Sequence, residues 1–322
     1  MKRPLVIAVV AALLAPAAAA AQEPPPAPAP APAPATGKLS LAAAKVKTAG
    51  TKQLTLRKRG WTVQGALAPA AANERIQLLI HRDGKRIRKA TVVTQADGSF
   101  AKRMRTTRAG RYSVRAVHPG SAVIAATRGP KVTVSVFEPR AADGDRNALV
   151  KLLQRSLARL HYAVPTHGTY DAATGRAVMA FRKVNSMPRR YDADRRVIEK
   201  AIALKGAFKV RHPDAGRHVE ADLSKQVLAL IDKGKVVETY HTSSGTAATP
   251  TVIGSFRVYL KTPGTNAKGM VHSSYFIRGY AIHGYVDVPA FNASHGCLRI
   301  PIPDAWRVFT WLRMGDRVIV YP

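Results

Sequence analysis

The 322-residue sequence predicts a multidomain chain in which a β-rich segment, a short helical segment and a second, mainly-β segment follow one another. Three observations carry that prediction. Short apolar runs with period-two alternation fill residues 38–138, apolar residues at helical spacing fill 145–206, and strand-like alternation returns over 217–322. Each segment is long enough to bury a hydrophobic core of its own.

The first 21 residues have the features of a secretory signal peptide. Lys2 and Arg3 precede an apolar run, and small residues in an A-x-A pattern end the segment before Gln22. An uncleaved membrane tether is the alternative, although Pro16 and the shortness of the run favour cleavage. No later stretch is apolar enough to span a bilayer. The sequence therefore predicts a secreted protein of the cell envelope, periplasmic or extracytoplasmic.

Residues 22–37 predict a Pro/Ala-rich linker, because alternating prolines favour extended polyproline II structure that builds no core. Residues 38–138 then predict about seven short strands, separated by turn signals such as Asp83-Gly84 and Asp97-Gly98. This pattern is typical of an all-β, immunoglobulin-like (Ig-like) sandwich. It resembles the bacterial Ig-like modules that precede catalytic domains, and we expect it to serve either as a spacer or in adhesion to polyanions.

Residues 145–206 predict three helices. The first carries leucines at helical spacing behind a cap at Asp145, a second begins at Asp171, and a third lies near residues 197–204. On Leu153-Gln154, the Gly168-Thr169-Tyr170 turn and Phe181, this segment resembles the small α-helical peptidoglycan-binding module; Arg182 stands where that family commonly has glutamine. The resemblance implies contact with glycan strands. A purely structural helical spacer is the alternative.

The formal net charge of +32 is concentrated near the N-terminus. Residues 38–140 alone carry 22 basic and 4 acidic side chains. Such a field attracts polyanions of any kind. Because the chain is predicted to be exported and shows no nucleic-acid motif, we expect no nucleic-acid partner. Anionic wall polymers or lipid head groups are the expected partners, and arginine used only as solubilising charge is the alternative.

The chemistry-bearing stretch is residues 281–300. It holds the only cysteine, Cys297, together with His283 and His295. A thiolate attacks acyl carbons at neutral pH when a base removes its proton, and histidine is the usual base. His295 lies only two residues from Cys297, so His283 is the favoured base. The N–H groups of Gly296 and Cys297 are candidates for an oxyanion hole.

These residues resemble the L,D-transpeptidases, the YkuD-domain family. Ile282-His283-Gly284 and the later Ser294–Arg299 match its HG and SHGC(I/V/L)R signatures, and an upstream (S/T)TG…TPTGxF region is matched by residues 243–256. The resemblance implies that Cys297 is the nucleophile, His283 the base, Gly284 the carbonyl that orients the imidazole, and Gly296 part of the nucleophile turn. Substrate contacts are expected from Ser294, His295, Arg299, Tyr285 and Tyr275.

The resemblance covers residues 217–322 and implies a mainly-β catalytic domain. A helix over Pro303–Leu312 is expected to bury Trp306 and Phe309. The implied substrate is a peptidoglycan stem peptide, attacked at its third residue with release of D-alanine and formation of a 3→3 cross-link. Water as the acceptor would make the same site an L,D-carboxypeptidase. No cofactor is implied.

Three other interpretations of the cysteine stay open at this stage. The thiol could be a buried apolar group in a non-catalytic wall-binding protein. It could join His283 and His295, with His241 and His272 recruited, in a zinc site, although no second cysteine exists. It could also serve a cysteine endopeptidase of another fold.

Overall fold

A computed structural model describes residue 1 and residues 32–322. The predicted signal peptide and most of the predicted Pro/Ala-rich linker lie outside the described residues. The described end of that linker pairs with the first β-rich segment: Ala35 forms a parallel bridge to Ile124. No helix in the described residues is both long and apolar enough to cross a membrane.

Residues 38–137 form two packed sheets. Their strands are β1 (Lys38–Leu39), β2 (Ala42–Ala44), β3 (Lys47–Ala49), β4 (Lys52–Leu56), β5 (Trp61–Ala68), β6 (Arg75–Arg82), β7 (Lys85–Val93), β8 (Ser99–Met104), β9 (Gly110–His118) and β10 (Thr127–Phe137). One sheet has the order β1-β5-β2 with β8 also on β5; the other has the order β3-β4-β10-β9-β6-β7. Alternate apolar residues of both sheets, such as Trp61 and Val114, share one core.

Three helices follow, α1 (Ala148–Arg159), α2 (Ala172–Val184) and α3 (Arg195–Ile202). The cap expected at Asp145 is wrong: the Asn147 side chain accepts the N–H groups of Leu149 and Val150 and begins α1. Asp145 instead accepts the N–H of Ala142. Asp171 caps α2 as the sequence predicts. The apolar faces of these helices share a core with β3 and β4 of the first segment.

Residues 217–322 form two further sheets and a helix. The elements are β11 (His218–Asp222), β12 (Val227–Asp232), β13 (Lys235–His241), β14 (Gly254–Arg257), β15 (Leu260–Thr265), β16 (Val271–Ile277), β17 (Tyr280–Tyr285), β18 (Leu298–Pro301), α4 (Ile302–Trp311) and β19 (Arg317–Tyr321). The sheets have the orders β13-β12-β11-β19-β14 and β15-β16-β17-β18. They share one core with α4, and the β-rich, multidomain fold class predicted from the sequence is confirmed.

The expectation that α4 buries Trp306 is wrong. Its side chain is 58% exposed, whereas Ala305 and Val308 are buried. Residues three apart share a face of a helix, so the pair that packs on β16–β18 is 305 and 308, and Trp306 is rotated out of the core. Phe309 is only partly buried and stacks near Trp306, with ring centroids 6.0 Å apart.

The helical segment packs directly on the last segment. Tyr162 forms a parallel bridge with Thr239 of β13. Arg176 of α2 makes an ion pair with Asp304 of α4, Nε to Oδ2 3.1 Å. The buried Nζ of Lys183 donates to the Thr242 carbonyl at 2.8 Å. Through Arg176 and Lys183, α2 is attached to α4 and to Thr242, the residue that follows β13.

Candidate active site

Two adjacent parallel strands bring the candidate base and nucleophile together. Strands β17 and β18 pair with Ile282 opposite Leu298 and His283 opposite Arg299. Continuing this register by one residue sets Cys297 opposite Ala281. Because alternate residues of a strand point to the same face, His283, Arg299 and Cys297 share one face of this sheet. The fold therefore joins residues that are fourteen positions apart in sequence.

His283 is held in one orientation and one tautomer. It is only 2% exposed, and its Nδ1 lies 2.9 Å from the carbonyl oxygen of Gly284. A carbonyl only accepts, so Nδ1 carries the proton and Nε2 keeps its lone pair. Burial, with a smaller contribution from the Arg299 charge, lowers the pKa of His283 below its usual value. The imidazole is therefore neutral at pH 7 and able to accept a proton.

Cys297 is partly exposed, and its thiol lies 3.8 Å from the carbonyl oxygen of Gly279. Burial raises the pKa of the Cys297 thiol, while the N–H of Ala281 and the charges of Arg299 and Lys268 act in the opposite direction. Both members of the pair are consequently uncharged at rest. Proton transfer to the imidazole has to accompany attack by sulfur.

The turn before Cys297 depends on Ser294 and Gly296. The buried Ser294 Oγ donates to the Cys297 carbonyl at 2.6 Å and accepts the Gly296 N–H at 3.1 Å. Gly296 has φ +106°, and a Cβ there would lie 2.1 Å from Cε1 of Tyr280. Only glycine fits this position. Since Ser294 occupies the Gly296 N–H, the Cys297 N–H is the remaining candidate oxyanion donor of the two.

The upstream motif clamps this turn from the other side. Ser243 and Arg299 exchange backbone hydrogen bonds of 3.0 Å in both directions. Ser294 donates its N–H to the Ser244 carbonyl, and its own carbonyl accepts the Thr246 N–H. A Cβ on Gly245 would lie 2.9 Å from the Gly296 Cα. The two sequence motifs therefore form a single backbone unit around the cysteine.

An open groove of about 490 Å³ runs over the site. Of the residues expected from the sequence, it is lined by His283, Tyr285, Ser294, His295, Cys297 and Arg299. The Arg299 guanidinium lies over the Tyr285 ring, 4.2 Å from its centroid. Tyr275 is not among the lining residues; on β16 its hydroxyl contacts Asn266 and its ring lies near Tyr259.

Sequence reasoning missed five lining residues: Lys268, Met270, Arg278, Gly279 and Tyr280. They belong to the loop before β16, to the tight turn between β16 and β17, and to the first residue of β17. The Arg278-Gly279 turn signal could have predicted that hairpin. The groove is thus more cationic than the motifs alone indicate.

The two histidines that a zinc site would have to recruit, His241 and His272, do not line the groove. His241 packs near Tyr191 and His272 near Trp306, with ring centroids 6.3 and 4.9 Å apart. In the described ranges no three His, Cys, Asp or Glu side chains group as metal ligands.

Residues 217–322 are thus a β-rich, two-sheet unit with a groove over Cys297. Residues 216–320 match the YkuD family, the L,D-transpeptidase catalytic domain.

Solved structures are similar over a longer stretch. An L,D-transpeptidase from Xylanimonas cellulosilytica (residues 123–326) is 29% identical over 57% of this chain and 98% of that chain, with a TM-score of 0.53. One from Stackebrandtia nassauensis is 22% identical over 56% of this chain and 95% of that chain, with a TM-score of 0.37. No curated protein matches the chain. The similarity to the Xylanimonas protein therefore extends beyond residues 216–320, the range that matches the family.

Proposed function

We propose that this protein is an L,D-transpeptidase that acts on peptidoglycan stem peptides through a thioester on Cys297. One observation carries the proposal: a neutral imidazole with a free Nε2 and a partly exposed thiol share one sheet face and line one groove. The match of residues 216–320 to the YkuD family supports the same reaction class.

The reaction follows from these groups. As Sγ of Cys297 attacks the carbonyl of the third stem residue, His283 Nε2 takes the thiol proton. The oxyanion of the tetrahedral intermediate accepts the Cys297 N–H. Collapse breaks the amide bond, and the imidazolium protonates the departing D-alanine amine. A side-chain amine of another stem then attacks the thioester, loses a proton to His283, and releases the thiol with a 3→3 cross-link.

The charge of the groove suits this donor. Lys268, Arg278 and Arg299 line it, and a stem peptide carries carboxylates at its terminus and on its side chains. Guanidinium groups bind carboxylates through paired hydrogen bonds. We infer that these cations hold the donor carboxylates while the third residue's carbonyl lies beside Cys297. His295, exposed at the rim, and Tyr285 complete the substrate contacts.

Transfer to an amine is favoured over hydrolysis by the position of the helical segment. We propose that α1–α3 bind glycan strands, as their resemblance implies; α2 packs directly against β13 and makes an ion pair with α4. A strand held there presents its stems near the thioester at high effective concentration. Hydrolysis by an L,D-carboxypeptidase remains the second candidate. We infer from the predicted signal peptide that the reaction takes place in the cell envelope.

Intact-protein mass spectrometry with a synthetic tetrapeptide stem tests the proposal. We expect an adduct equal to the acyl tripeptide on Cys297, none with Cys297→Ser, and acylation slower by about a hundredfold or more with His283→Ala. His81→Ala, in β6 of the first segment, is the matched control and should acylate normally. Lack of any adduct would leave a non-catalytic wall-binding protein. An adduct at full rate in His283→Ala would contradict the assignment of the base.

A further inference from the structure

The first β-rich segment has a cavity of its own, far along the chain from Cys297. It opens between β7, the last strand of the six-stranded sheet, and β8 of the other sheet, and its volume is about 320 Å³. Six cationic residues line it: Arg82, Arg88, Lys102, Arg103, Arg105 and Arg108. No acidic residue lines it. Six of the 22 basic side chains of residues 38–140 are therefore gathered around one concave site.

Five of these six cations lack a carboxylate partner within the described residues. The ion pairs of this segment are Arg57 with Glu138, His118 with Glu74, and Arg82 with Asp83. Arg82 is thus the one lining cation that lies near a carboxylate, at 3.8 Å. Charges that served only solubility would be spread over exposed faces and interspersed with acids. Like charges gathered around one cavity repel each other unless an anion enters it.

A second observation points to a ligand. Thr106 also lines the cavity, is only 2% exposed, and its Oγ1 makes no hydrogen bond within the part of the chain that the structure describes. A buried hydroxyl without a partner is costly, so Thr106 leaves one hydrogen-bond donor at the edge of the cavity that no protein acceptor in the described residues satisfies. The backbone of Thr106 is fixed, because its carbonyl accepts the Lys58 N–H at 2.8 Å.

Apart from Thr106 and Thr107, the rest of the lining is mainly apolar. Ile80, Met104 and Tyr112 are buried beneath the cations, and the Tyr112 hydroxyl donates to the Arg108 carbonyl at 3.0 Å. A site with an apolar floor and a cationic rim suits a chain whose carbon units alternate with charged groups. Its concave shape accommodates one projecting strand, whereas a bilayer would contact an exposed flat face.

We propose that this cavity binds the phosphodiester groups of an anionic polymer. Five of the six cations are arginines, whose planar guanidinium groups pair with phosphate oxygens through two hydrogen bonds. A run of phosphodiesters supplies several negative charges to a site with several unpaired positive ones. The site is separate from the groove at Cys297, so it anchors the enzyme and takes no part in acyl transfer.

Fluorescence anisotropy of the full mature chain with labelled, short poly(glycerol phosphate) tests this site. We expect Arg103→Gln/Arg105→Gln to weaken binding by about tenfold or more. The matched control, Arg128→Gln/Lys131→Gln, removes two exposed charges of β10 in the same sheet system and should change affinity by less than about twofold. Circular dichroism melts verify that both variants fold.

Competing ligands decide what the cavity recognises. Equal weakening by both variants would overturn the proposal in favour of diffuse attraction to a basic surface. Polyglutamate of the same charge bound as tightly as the polymer would overturn the preference for phosphate. Phosphatidylglycerol vesicles bound more tightly than the polymer would show a membrane contact instead. Acylation of Cys297 should be equal in all these variants, so this test and that of the enzyme are independent.

Discussion

A lysine buried between α2 and the catalytic domain gives the sharpest test of how these parts depend on each other. Lys183 is 2% exposed, and its Nζ donates to the carbonyls of Thr242 and Gln226 at 2.8 and 3.1 Å. Burial, reinforced by the charge of Arg189, lowers the pKa of Lys183 to about 7 from 10.5. The neighbouring His241 is buried and has its pKa lowered well below 6.5, so it stays neutral above pH 7.

The sign of the pH effect follows from this lowered pKa. Between pH 7 and pH 10.5 the unfolded chain keeps a proton on Lys183 that the folded chain has lost. The free energy of unfolding therefore rises with pH in this window. Integration from pH 7 to pH 10 gives a contribution of about 3 kcal/mol from this one group. Below pH 7 both states are protonated, and the full cost of burying the charge is present.

Replacing the lysine with an apolar side chain of similar length removes this pH dependence. Lys183→Met leaves the Thr242 carbonyl without its lysine donor, at a cost of about 1–3 kcal/mol, but no longer buries a charge. We expect little net change in stability at pH 7 and a marked loss relative to wild type at pH 10. Urea unfolding followed by tryptophan fluorescence at both pH values measures the difference. Lys205→Met, at an exposed position, is the control. Parallel curves for wild type and Lys183→Met would refute the reasoning.

Two predictions concern the groove. Because burial lowers the pKa of His283, the acid limb of the acylation rate should have its midpoint below pH 6.5; stopped-flow acylation across pH 4–8 measures it, and a midpoint above about 6.5 would contradict a buried neutral base. Gly296→Ala should slow acylation by about a hundredfold, because its Cβ would lie 2.1 Å from the Tyr280 ring at φ +106°. Gly175→Ala in α2, whose Cβ would meet nothing closer than 3.5 Å, is the control, and equal rates for the two variants would show that the turn tolerates a side chain.

The local parts of the fold were predictable from sequence, and the long-range parts were not. The family resemblance indicated that His283 and Cys297 meet, but their shared face depends on the parallel pairing of β17 with β18, which no local pattern encodes. Trp306 was misplaced because a short helix has several apolar residues and only packing selects its buried face. The burial of Lys183 could not be predicted, because the residues around it in sequence do not indicate that its Nζ binds carbonyls of another segment.

The bridge between Tyr162 and Thr239 has a consequence for how the enzyme should be isolated. Strand β13 ends the five-stranded sheet, and residues 161–163 satisfy part of its outward backbone through hydrogen bonds to Thr239. A fragment starting at residue 217 would expose those amide and carbonyl groups without hydrogen-bond partners. Such a fragment would be prone to self-associate along β13. The smallest well-behaved catalytic piece of this protein should therefore begin near residue 145, carrying its helices as a permanent cover.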